Sequence, residues 1–515
     1  MFDKDNKFGF ISNNNESNNN IEGLDNVKTD INNIKSDLGN EELTTVNKDV
    51  KGAINEVNAQ YKESGKNFNE GFQNSLLKFP RLIGENNDNN RILRALELNN
   101  SVVFPAGEYI VNNLELPIKN VKLIANGTVV IKNSDLLTPC FTSSSENCIE
   151  IRGFSFTNTK YGIFLKRNTS SSIKYNFNIN NCSFINIIEN DGYSIYLDGL
   201  GQGSITNCNF TNSNGIYRVR TINTIIDSCV FHTGKYAIND DGDFTSYSCG
   251  ITLNNIQILG YEYGIILKGC DNFVVSNCMI DYNDNSIIID SAYTGKIHSS
   301  YISTRTNNPT VKLISGTNDE AIKEIKIYGN DILANNDSAS LIEFTGNKNI
   351  EAITISDNNL TFFSKYAIEN NLDDGKALIL STIDKNFIAN RTGYGICAIL
   401  TGSTDSSTRV TNNNFSLGTG VNVLDKKVGV NLTFSNNRGY KSKNKGIGII
   451  TTGQTSITIN HDIQHSNELR VQVSTNNFVG TKISNVNDVS FTVEIDKATD
   501  SDVKVFWSAE DIFNL

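Results

Sequence analysis

Two short motifs alternate along most of this chain, and they constrain its fold more than any other feature. The first is Asn or Ser, then Cys or Asn, then any residue, then an apolar one, as in Asn181-Cys182-Ser183-Phe184, Asn207-Cys208-Asn209-Phe210, Ser228-Cys229-Val230-Phe231 and Asn277-Cys278-Met279-Ile280. The second is Tyr or Asn, a small residue, then Ile: Tyr161-Gly162-Ile163, Tyr193-Ser194-Ile195, Asn214-Gly215-Ile216, Tyr236-Ala237-Ile238, Tyr263-Gly264-Ile265 and Asn285-Ser286-Ile287. From Gly162 the second motif returns after 32 residues and then after 21, 22, 27 and 22. A variable period in this range, with strand-forming residues on either side of Asn-rich turns, predicts stacked coils of short parallel strands. Leucine-rich and hexapeptide solenoids keep a shorter, fixed period. Residues 101–440 at about 25 per coil predict roughly 13 coils, or a shaft of about 60 Å at the inter-strand spacing.

The chain is all-β in character: 38% hydrophobic residues, five Pro, two Met and an abundance of Asn, Ser, Thr and Gly favour many strands over packed helices. At 515 residues it should divide into more than one unit. A net charge of −11 and a pI of about 5.1 leave no basic surface for phosphate backbones, so nucleic acid is not an expected partner. The start, Met1 to Asn20, lacks the apolar core of a leader, and no run of about 18 apolar residues occurs; the expectation is a soluble chain made in the cytoplasm, without membrane insertion. The nine Cys are an odd number without a CxxC, and read as buried small hydrophobes rather than disulfides or metal ligands.

Both ends depart from the repeat. Residues 1–20 are a polar tract with little to bury, expected to stay flexible. Residues 21–79 carry a heptad seam, Leu24, Val27, Ile31, Ile34 and Leu38, resumed after Gly39 by Leu43, Val46, Val50, Ala53 and Val57. Each segment is too short to stand alone, and Ile at seam positions favours three strands, so a homotrimeric coiled coil is expected. Leu38 to Asn58 resembles a stretch that recurs in tail proteins of phages of Gram-positive bacteria, which implies attachment to a virion tail or baseplate protein through residues 1–79. Residues 80–440 open with an amphipathic helix, Asp88 to Leu98, followed by Val102 to Val111 with the turn Pro105-Ala106-Gly107-Glu108-Tyr109. This pair resembles the entrance of pectate-lyase-superfamily right-handed parallel β-helices, although an acidic pair usual there is reduced to Asp88 with Asn89 and Asn90. Residues 441–515 alternate strictly in Ser456–His461, Leu469–Ser474, Ser490–Ile495 and Asp502–Ser508, predicting a small antiparallel sandwich that resembles the terminal β-domain of phage tail and spike proteins.

A solenoid has no pocket of its own, so function is sought where outward columns depart from the repeat. Aligned on the second motif, Asp198, Val219, Asp241, Lys268 and Asp290 form one outward column, and Tyr196, Tyr217, Asn239, Ile266 and Ile288 another. Arg218 and Asp240 fall at inward positions on adjacent coils, where they either face each other or mark a site. The catalytic candidates are Asp198, Asp240 and Asp241; the substrate-binding candidates are Tyr196, Tyr217, Arg218, Arg220, Asn239 and Asp243. Two coils put Asp198 and Asp241 about 10 Å apart, close to the separation of an inverting glycosidase pair, whereas a lyase would use an Arg as base and a cation. No cofactor or metal is expected. His461 and His465 have ligand spacing but sit at a strand end, and Trp507 reads as core rather than as a sugar platform. The resemblances imply a virion tail spike or fibre that recognises host surface polysaccharide; a depolymerase and a purely structural tail component are the alternatives.

Overall fold

The computed structural model describes residues 74–511, apart from 145–146, 168–175, 188–191, 243–247, 318–319, 337–338, 403–405, 419, 426–430, 441, 464–468, 478 and 488. The expected flexible tract and the heptad seam from Leu24 to Val57 lie outside these residues; of the region 21–79 only residues 74–79 are described. From Ser101 to Ser435 the chain is a parallel β-solenoid whose strands pair with the coils before and after them. One outward column can be followed through the whole stack: Ser101, Lys122, Glu150, Asn178, Ser204, Ile225, Thr252, Val274, Lys296, Lys326, Thr354, Thr382, Arg409 and Thr433 are successive partners. Fourteen partners make thirteen steps, close to the number the repeat spacing implies. Two further ladders run beside this first one. The second carries Phe184, Phe210 and Phe231, and the third carries the Tyr-small-Ile motif.

Period-two alternation fills the interior with one residue type per row. Leu123, Ile151, Ile179, Ile205, Ile226, Leu253, Val275 and Ile297 stack under the first ladder, all buried. Phe156, Phe184, Phe210 and Phe231 lie face to face under the second, with centroids 5.0, 5.0 and 4.4 Å apart. The first motif marks the corner between these rows. Its leading residue adopts the left-handed conformation, at φ +54° for Asn181, Asn207 and Ser228 and +55° for Asn277, which among non-glycine residues Asn tolerates best. The next residue points inward: Cys182, Cys208, Cys229 and Cys278 are buried, and higher up the same corner holds Asn330, Asn358, Asn386, Asn413 and Asn437.

The helix forms over Asn89–Leu98 with Asp88 as its N-cap, and it closes the open end with Ile92, Ala95 and Leu96. Asp88 joins helix to solenoid: its carboxylate accepts from the Ile110 amide at 2.7 Å and from Arg81 Nε at 2.8 Å, with Arg91 at 3.0 Å. At the other end two three-stranded antiparallel sheets share a core built on Ile450, Phe491, Val493, Val505 and Trp507. Two of the six strands, Lys443–Ile450 and Thr481–Ser484, are additions to the four expected. The first has glycines at two alternate positions, where Gly446 and Gly448 make room for Trp507 and Ile459, so it lacks the apolar half of the usual alternation. Trp507 is core, edge-on to Phe491 at 5.6 Å.

Candidate functional site

The third ladder gathers most of the expected site residues on one outward face. Phe164, Tyr196, Tyr217, Asn239, Ile266, Ile288, Lys312, Glu343 and Glu369 are successive partners along it. Tyr196 is stacked between Phe164, 4.3 Å away, and Tyr217, 4.9 Å away, with interplanar angles of 10° and 14°. Because the rings cover one another along the shaft, they present edges and hydroxyls outward, not faces. The Tyr217 hydroxyl donates to Asp241 Oδ2 at 3.1 Å, and Lys268 holds the other oxygen of that carboxylate at 3.0 Å. Burial, and then the Asp241 charge, push the Tyr217 phenol well above its ordinary value. Asn239 donates to the Tyr193 hydroxyl at 3.0 Å.

Asp198 sits in the neighbouring column, almost buried, with Arg220 Nε at 2.7 Å and Lys166 at 3.7 Å. Asp198 and Asp241 are two coils apart with Val219 between, about 10 Å by coil spacing. Every oxygen of the two carboxylates already has a cation or hydroxyl against it. Asp243 lies outside the described residues.

Arg218 and Asp240 do not belong to this face. Both are 0% exposed and they form an ion pair inside the solenoid, so neither can touch a polymer at the surface, and the assignment of Asp240 to catalysis and of Arg218 to binding is corrected. Arg218 spends its remaining donors on the Thr221 and Cys249 carbonyls and on Thr224 Oγ1 at 3.2 Å, which ties three coils together. Burial holds the Asp240 carboxyl above the usual carboxylate range, with the Arg218 guanidinium pulling the other way.

Farther along, the same outward column carries a feature that the sequence reading missed. Glu343 and Glu369 are direct partners on adjacent coils, 8% and 5% exposed. Lys365 lies 2.6 Å from Glu369, whose other oxygen accepts from Ser340 at 2.6 Å, and Lys312 lies 3.3 Å from Glu343. Glu369 follows the motif Tyr366-Ala367-Ile368 directly and was legible in that sense. Glu343 follows Leu341-Ile342, where the motif has lost its tyrosine.

His461 is buried, with Nε2 3.0 Å from the Asn487 carbonyl and Nδ1 accepting from the Ile463 amide at 3.1 Å, which leaves neither nitrogen for a metal. His465 lies outside the described residues. Among the described residues no helix is long and apolar enough to cross a membrane.

No family model and no curated protein matches the sequence. Solved structures that are similar include a mutant tailspike protein of E. coli bacteriophage HK620 in complex with pentasaccharide, at 12% identity over 85% of this chain and 93% of that one, with a TM-score of 0.48. The Pseudomonas phage phi297 tailspike gp61 is similar at 9% identity over 84% and 94%, with a TM-score of 0.43. PfbA, a surface adhesin of Streptococcus pneumoniae, is similar at 13% identity over 68% and 93%, with a TM-score of 0.41.

Proposed function

We propose that this chain is a phage tail spike or fibre whose shaft recognises polysaccharide on the host surface, assembled as a homotrimer and attached to the virion through residues 1–79. The observation that carries the reading is the third-ladder face. From Tyr196 to Glu369 it displays tyrosine hydroxyls, an arginine, lysines and carboxylates on a rigid scaffold, each pinned by a neighbour on the next coil. Pre-positioned polar groups along a line suit a polymer of hydroxylated units better than a compact ligand. The resemblance of Leu38 to Asn58 to phage tail segments supports the attachment.

The test is binding of the fluorescent, full-length protein to a panel of bacterial strains before and after periodate oxidation of their surface sugars. Loss of binding after periodate is expected. Binding that survives periodate and falls with protease treatment would place the receptor among proteins instead.

A second reading, cleavage of the bound chain, is favoured by the Glu343 and Glu369 pair. Opposed residues on adjacent coils stand about 4.8 Å apart at the backbone, near the 5–5.5 Å of a retaining carboxylate pair, while Asp198 and Asp241 are nearer the inverting distance. Reducing ends released from a bound polysaccharide, without the absorbance of an unsaturated uronate, identify a hydrolase. Glu369→Gln is expected to slow that release at least about 100-fold if the pair acts. Equal loss in Asp241→Asn, with Glu369→Gln unchanged, moves the chemistry to the tyrosine end.

A further inference from the structure

The first ladder has its own concavity, on strands other than those that carry the tyrosine and carboxylate face. A groove of about 640 Å³ is lined by Glu150, Asn178, Gln202, Ser204, Asn223 and Thr252, with Ile225 exposed at its floor. Gly250 helps to open it, since a Cβ there would stand 2.4 Å from Asn223 Oδ1, whereas Gly203 makes room for the buried Phe177 ring, 2.2 Å from where its Cβ would be. Glu150, Asn178, Ser204, Ile225 and Thr252 are successive partners, so the floor spans four steps, about 19 Å at the inter-strand spacing.

What separates this column from its neighbours is unspent hydrogen-bonding capacity. Two residues along the same strands, outward side chains satisfy one another from coil to coil. Asn180 donates to Thr206 Oγ1 at 2.6 Å, Asn254 to Asp227 at 2.6 Å, and Ser276 to Asn254 at 3.1 Å. In the groove, the amides of Asn178, Gln202 and Asn223 and the hydroxyls of Ser204 and Thr252 make no side-chain hydrogen bond among the described residues. Amides and hydroxyls both donate and accept, as sugar hydroxyls do, and Ile225 offers an apolar spot for the C–H face of a ring. Among the described residues no lysine or arginine lines the groove, and the one charge in that lining is Glu150, taken up by Lys122 at 2.9 Å. That lining disfavours carboxylate- or phosphate-bearing ligands.

We propose that this groove is a second saccharide site, distinct from the third-ladder face, and that it takes a short run of neutral, hydroxyl-rich sugar; the proposal rests on the reading of the shaft as glycan-binding. The full-length protein is applied to an array of neutral and uronate-containing bacterial oligosaccharides, and the best neutral binder is then used in hydroxyl-radical footprinting. Protection of residues 176–178, 202–204 and 223–225 is expected. Ser204→Arg, which fills the groove, should weaken that binding at least tenfold at an unchanged melting temperature. Should Ser204→Arg fail to fold, the double change Gln202→Ala with Asn223→Ala removes two amides without adding bulk, and a tenfold loss is again expected. Protection confined to residues 193–217 would overturn the groove while leaving a glycan-binding shaft intact. Binding of uronate-containing members alone overturns the neutral assignment, and binding of no saccharide at all overturns both.

Discussion

At the scale of single residues, the buried Arg218 and Asp240 pair shows how one position can be chemically conspicuous and yet structural. Its neighbours in the same inward row are Leu197 below and Leu267 above, so the charged pair sits between coils that use an apolar side chain there. Arg218→Met leaves the Asp240 carboxylate buried without its cation, which costs about 3–5 kcal/mol, whereas changing both residues to apolar ones of similar volume should recover most of that. Equilibrium or kinetic unfolding in guanidinium measures both variants. The pH dependence follows from the raised Asp240 value. Between the ordinary carboxylate value and that raised one, the folded chain keeps a proton that the unfolded chain has lost, so this group's contribution to stability falls as pH rises through the window and is flat above it. Asp240→Asn should remove that slope; an identical pH profile in the variant would show that the group does not titrate there.

At the scale of elements, the corner between the first two ladders changes its chemistry along the shaft. Thiols at Cys182, Cys208 and Cys229 give way to an amide ladder in which each Asn donates to a carbonyl on one side and to the next Asn on the other. Asn358 Nδ2 donates to the Ile327 carbonyl at 2.9 Å and to Asn386 Oδ1 at 3.0 Å, while its own Oδ1 accepts from the Asn330 amide at 3.0 Å. Asn358→Ala strands several buried groups at once and is expected to cost about 2–3 kcal/mol, a loss that an exposed Asn on the same strands, such as Asn359, should not reproduce. Equal midpoints for the two alanine variants would mean that water replaces the amide. These rows were legible in the sequence as motifs, because the corner demands a left-handed residue followed by a small inward one. The third-ladder carboxylate pair was only half legible, because the motif before Glu343 reads Ser340-Leu341-Ile342 and lacks the tyrosine and small residue that would have marked it.

For the whole molecule, a stack of parallel coils must close both ends, since an open end is an unpaired sheet edge over an exposed core. The helix Asn89–Leu98 closes the first end by setting Ile92, Ala95 and Leu96 against that core and clamping Asp88 to Ile110. Ile92→Asp is therefore expected to lower the melting temperature and raise hydrophobic-dye binding, together with the soluble aggregate seen by light scattering. A variant that melts and elutes as the parent does would show that the helix is not the seal. At the far end, the Asp511 amide donates to the Ser442 carbonyl at 2.8 Å, which ties the last strand to the segment leaving the solenoid.

The sequence by itself determined the architecture: which residues point inward, where a coil turns, that a helix caps the first coil, and that the end of the chain alternates as antiparallel strands. All of these depend on neighbours within a few positions, where periodicity and backbone preference act directly. Only the tertiary structure decided what the outward and inward columns become. Partners along the stack lie 21 to 32 residues apart with no fixed period, so register alone brings Arg218 to Asp240, Tyr196 to Tyr217, and Glu343 to Glu369. The groove on the first ladder is likewise invisible in any one strand, because it consists of polar side chains from successive coils that found no partner in one another.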